Sequence, residues 1–221
     1  MRVSRLHAFV LLVLLATRGF GATPGTLSFQ IRDTKGAPVA DAVVALIPLD
    51  AAAPVAAPTP AATPAHEIGQ QNEEFQRYVT VVQAGTRVHF PNQDKVQHHL
   101  YSLSKAKKFE FALYNPGQAE SVVFDVSGTV TLGCNIHDWM VAYLYVLPTP
   151  YFAQSGASGD AVITAPPGRY RLELMHPRLP APLKEELSLA EGAAATRAFS
   201  VTLKPDRRIR RAPDPKAGSY R

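Results

Sequence analysis

The sequence is poorest in cysteine and tryptophan, with one of each, Cys134 and Trp139, in 221 residues. One cysteine can form no intrachain disulfide, so the chain is not a disulfide-stapled scaffold. Long apolar runs are also missing. None exceeds nine residues, well short of the 18 or more that a membrane-spanning helix takes, so no stable membrane insertion is expected. Charge is sparse on the body of the chain. The net charge is +5, but the first 22 residues hold three arginines and no acid, and segment 204–221 holds seven basic against two acidic residues. Between them, 13 basic face 16 acidic residues. A nucleic-acid binder carries its positive surface on the fold itself, so that class is excluded.

What is present points to β-structure. Hydrophobic residues make up 46%, enough for one full domain or two small ones, with 19 prolines and 14 glycines to punctuate turns. At the N-terminus, basic Met1 to Arg5 precedes the apolar run Ala8 to Ala16, and small residues follow at Gly19, Gly21 and Ala22. Nine residues of helix reach about 14 Å, roughly half a bilayer core. Residues 1–22 therefore read as a cleaved signal peptide, and the mature protein as exported. Export makes the lone Cys134 informative, because an unpaired thiol in an oxidising compartment is buried, reactive or ligated.

Two strands, LSFQIRD and AVVALIPL, occupy 26–49, and the Ala/Pro-rich stretch 50–72 reads as a linker, with 66–77 a short helix or an arm. A dense β pattern fills 73–148, with strands at 78–82, 86–90, 99–103, 109–113, 121–126, 128–132 and 141–147. Such spacing is that of a Greek-key sandwich or barrel. Further strands are expected at 160–164, 170–175 and 198–203 within 156–204, before a basic tail at 205–221. The segments RDTKGAPVADAVVAL and SGDAVITAPPGRYRLELMHP resemble strands of carboxypeptidase-regulatory-like (transthyretin-like) sandwiches. That resemblance implies a discontinuous second sandwich, 26–49 with 156–204, around the central domain.

The chemistry concentrates in Gly133-Cys134-Asn135-Ile136-His137-Asp138-Trp139-Met140, a C-x-x-H-x-x-M loop between two strands. Copper cycling between two oxidation states is served by one thiolate, two imidazoles and a weak thioether. A short loop supplies three of these, and the segment from Phe90 to His99 offers the second imidazole. Here the chain resembles the cupredoxins, whose first histidine follows an "F/V-x-N-x-D-x-x-x-H" turn. The loop spacing is similar to that of amicyanin, and the wider pattern resembles cupredoxin-domain methylamine utilization proteins.

The resemblance implies an all-β, cupredoxin-like domain and one type 1-like copper held by His98, Cys134, His137 and Met140. Asn92, Asp94, His99 and Asp138 then stand beside the ligands or as alternatives to them. His98 fits the D-x-x-x-H count from Asp94; His99 is one step out of register, and neighbours on a strand face opposite ways. Asp138 follows the histidine where amicyanin has proline, and Leu132-Gly133 precede the cysteine where many cupredoxins have an aromatic residue.

The function implied is one-electron transfer to an unidentified redox partner protein in the periplasm, without enzymatic turnover. Copper storage or delivery by the same ligands, and a metal-free binding or scaffold module, are the alternatives. Other chemistries fail on spacing. Covalent c-type haem needs C-x-x-C-H, a binuclear copper centre needs two cysteines, and structural zinc rarely uses methionine. Trp139, His89 and His176 read as packing residues, His66 as a solvated linker residue, and Lys105, Lys107 and Lys108 as a hydrated face.

Overall fold

The computed structural model describes residues 22–50 and 66–206; the expected signal peptide, the middle of the linker and nearly all of the basic tail lie outside them. Strands β1 (Gly25–Asp33) and β2 (Val43–Pro48) come first. The central segment holds β3 (His66–Glu67), β4 (Gln70–Gln71), β5 (Glu74–Phe75), β6 (Val79–Gln83), β7 (Thr86–Pro91), β8 (Leu100–Ser104), β9 (Lys107–Glu110), β10 (Ala119–Phe124), β11 (Gly128–Cys134) and β12 (Val141–Leu147). Then come β13 (Phe152–Gln154), β14 (Asp160–Ala165), β15 (Gly168–Met175), β16 (Leu183–Leu189) and β17 (Ala194–Val201). The architecture is all-β, with no helix among the described residues.

The strands build two sandwiches back to back. In the first, sheet β14-β1-β17 faces sheet β13-β2-β15-β16, so strands from both sides of the central segment share one core. In the second, sheet β6-β12-β11-β8-β9 faces β10-β7-β3. Strand β1 shows why: Leu27, Phe29 and Ile31 alternate into the first core, while Ser28 and Gln30 point away from it. Each such side chain contributes roughly 1.5–3 kcal/mol by leaving water.

The two unbroken apolar strands make the seam. Val44 and Leu46 of β2 enter the first core, whereas Val43 and Ala45 face the other way. Ala142, Leu144 and Val146 of β12 enter the second core, and Tyr145 and Leu147 point back to meet Val43, Ala45, Val79 and Met175. A strand buried on both faces has no room for polar alternation, which is why both read as continuous hydrophobic runs.

The structure differs from the sequence expectation in several places. The stretch 66–72 is not linker: β3 and β4 lie there, and Ile68 and Gln70 are fully buried against the second core. No helix forms at 66–77, because these residues pair as short strands with β7 and with each other. His66 is accordingly half-buried in β3, beside Val88, and is not a solvated linker residue. The outer sandwich resumes at β13, paired to β2, four residues before 156. Strand β16, LKEELSL, is not among the expected strands and is paired with β15.

Candidate metal centre

The centre lies at one end of the second sandwich. Strand β11 delivers Cys134 at its last residue, and Gly133 before it is narrow for a reason: a Cβ there would stand 3.0 Å from the Tyr101 ring. That ring sits opposite Gly133 in the β8–β11 register. The chain then turns tightly, with the Met140 N–H donating to the His137 carbonyl at 2.9 Å, before β12 begins.

His98 comes from a separate segment, bridged to Tyr114 and anchored just ahead of β8. Its side chain is 0% exposed, and its Nδ1 lies 3.7 Å from Cys134 Sγ. Nδ1 of His137 lies 3.5 Å from the same sulfur. One donor atom from each of the three residues falls within 4.8 Å of the others. Metal–donor bonds of about 2.0–2.3 Å around a tetrahedral centre put donors roughly 3.3–3.8 Å apart, a window that both sulfur–nitrogen separations meet. Met140 is buried in the same core cluster as Cys134. His137 is half-buried, its ring 5.0 Å from that of His98 and 5.4 Å from Trp139.

The adjacent histidines separate as strand alternation requires. His99 turns its Nε2 to the Glu110 carboxylate at 2.6 Å, on the exposed side. Its side chain takes no part in the cluster, but its backbone hydrogen-bonds Cys134 and its carbonyl receives the Asn135 N–H. Asp94 stands behind His98, with Oδ2 3.0 Å from Nε2. Asn92 is buried and braces the loop, donating to the Val96 and Tyr114 carbonyls while its Oδ1 accepts the Asp94 N–H. Asp138 is exposed. Trp139 donates its indole N–H to the Glu73 carbonyl at 2.9 Å.

These contacts tune the ionisable groups. Burial pushes the Cys134 thiol up, but hydrogen bonds from His98, from the backbone of His99 and Ile136, and from His137 outweigh it and bring the pKa to about 6. For His98, burial favours the neutral ring, while Cys134 and Asp94 favour the cation and hold its pKa above the usual value. The centre is therefore a ready thiolate flanked by two imidazoles, a donor set suited to copper.

Sequence reasoning did not single out Gln70, Asn72, Glu73, Glu110 or Tyr114. Gln70 is fully buried, donates to the Ile68 carbonyl and accepts the Tyr114 hydroxyl at 2.5 Å. The cue available was Asn72 between two short polar pairs, a residue type that favours tight hairpins.

No protein-family model matches the chain, and no curated protein sequence matches it significantly. Among solved structures, amicyanin from Paracoccus versutus is 19% identical over 41% of this chain and 86% of its own, with a TM-score of 0.35. A purple cupredoxin from Nitrosopumilus maritimus is 25% identical over 34% of this chain and 84% of its own, with a TM-score of 0.32. A copper-containing nitrite reductase from Thermus scotoductus is 23% identical over 46% of this chain and 27% of its own, with a TM-score of 0.37.

Proposed function

We propose that the protein binds one copper ion through His98, Cys134 and His137, with Met140 as a weak fourth ligand, and carries single electrons. The observation that supports this reading is the convergence of one buried thiol and two imidazole Nδ1 atoms from separate segments of a rigid sandwich. Copper bound there supplies a Cu(I)/Cu(II) couple. Cys134 gives the anionic donor, held in its thiolate form by the hydrogen bonds around it. His98, fully enclosed and backed by Asp94, fixes the interior side, while half-buried His137 faces the end where a partner protein can approach. Because these residues sit on strands and short turns, the fold would limit how far they move between oxidation states.

Export to the periplasm and a place beside amine oxidation rest on the N-terminal pattern and on sequence resemblance. Electron transfer without turnover is favoured over an oxidase because His98 and Cys134 are sealed in the core. The test is voltammetry of the copper-loaded protein with a chelator present. A reversible one-electron wave with copper retained in both states supports a carrier. Rapid loss of Cu(I) to the chelator would replace this reading with storage or delivery.

A further inference from the structure

The β4–β5 hairpin turns through Asn72 and Glu73, both with positive φ, at 57° and 56°. Asparagine accepts that region readily, but glutamate seldom enters it, and non-glycine residues held there cluster where the surroundings require the geometry. This turn makes three hydrogen bonds out of the hairpin. The Asn72 N–H donates to Asp94 Oδ1 at 2.6 Å, and the Glu73 N–H donates to Asp94 Oδ2 at 2.8 Å. That second oxygen is the one facing His98 Nε2. The Glu73 carbonyl accepts the Trp139 indole N–H, and the Trp139 ring lies against His137.

We propose that the Asn72–Glu73 turn is a positioning element of the metal centre, fixing the upstream histidine through Asp94 and the ligand loop through Trp139. It rests on the copper reading given above and goes beyond it, since it assigns a role to a hairpin that carries no ligand. The two N–H groups lock the Asp94 carboxylate, whose side chain is 10% exposed, in one orientation. That carboxylate accepts a hydrogen bond from His98 Nε2 and so keeps Nδ1 turned to Cys134. The Glu73 carbonyl holds the loop bearing His137 from the other side. One backbone turn thus ties together two segments that are far apart in sequence.

The test compares two substitutions at one position. Glu73→Pro removes the N–H and forbids positive φ, while Glu73→Gly keeps the N–H and the carbonyl and adopts positive φ freely. With copper bound, Glu73→Pro is expected to lose the metal to a chelator about ten times faster than the parent or more, and to shift its visible and EPR spectra. Glu73→Gly is expected to match the parent in both.

A second readout needs no metal. Nitrogen-15 NMR of the metal-free parent should show a His98 Nε2–H hydrogen-bonded to a carboxylate, and Glu73→Pro should weaken or lose that bond. If Glu73→Pro fails to fold, Asp94→Asn replaces it, since an amide nitrogen accepts no hydrogen bond and one of the two carboxylate oxygens is lost as an acceptor, and the same loss of the His98 Nε2 hydrogen bond is expected. Release rates and spectra unchanged in Glu73→Pro, or a His98 Nε2 hydrogen bond unchanged in the metal-free variants, would overturn the proposal. A parent that binds no copper would instead overturn the copper reading and leave the NMR comparison to decide this one.

Discussion

His99, just ahead of β8, lies 2.6 Å from the Glu110 carboxylate of β9, which takes the His99 imidazole away from the sulfur that His98 approaches at 3.7 Å. Adjacent histidines thus have opposite roles. His98→Ala should abolish the intense thiolate-to-copper band of Cu(II)-loaded protein. His99→Ala should keep it, because the backbone that reaches Cys134 remains. Equal loss from both, measured by visible absorption, would contradict this placement.

The single tryptophan gives a stoichiometric probe. Trp139 lies 5.4 Å from the His137 ring, so Cu(II) binding at the centre should quench its fluorescence. A titration should break at one equivalent in the parent and show no comparable quenching in Cys134→Ser.

The metal-free thiol should titrate low. Because the folded pKa of Cys134 is brought down from 9.0 to about 6, the ultraviolet thiolate absorbance should appear as pH rises through about 6. The linked stabilisation is fully present above the ordinary thiol pKa and is lost as pH falls through about 6. A thiol titrating near 9 in the folded metal-free protein would remove the electrostatic part of the account.

The seam is the energetic joint between the sandwiches. Ala45, on the seam face of β2, is fully buried near Tyr145 and Leu147. Ala45→Glu should cost more than about 3 kcal/mol, because it places an unpaired carboxylate among apolar side chains. Denaturant unfolding followed by circular dichroism measures this. A cost below about 1 kcal/mol would mean that the sandwiches do not depend on this contact.

The parts of this architecture that the sequence made legible follow simple periodicity. Alternation in β1 and the turns after Gly85, Pro116 and Pro167 mark strands whose pattern and pairing agree. The C-x-x-H-x-x-M loop was legible for a similar reason, since a tight turn forces near residues together whatever the surroundings. What stayed hidden depends on partners distant in sequence. Strand β16 is recognised only through its pairing with β15, and 66–72 reads as linker until Ile68 and Gln70 are seen against the second core. The hydrogen bonds from Asn72 and Glu73 to Asp94 span 22 and 21 residues, a distance at which no local pattern registers. The clustered residues His98, Cys134 and His137 could therefore be picked out as candidates from sequence, whereas the groups that contact them required the fold.

Visible absorption decides whether Cys134, His98 and His137 hold copper as a thiolate-bound centre. Cu(II)-loaded protein should show an intense red-region thiolate-to-copper band at one copper per chain, and Cys134→Ser should lose it while remaining folded. A parent that binds Cu(II) without that band, or a band that survives in Cys134→Ser, would contradict the account.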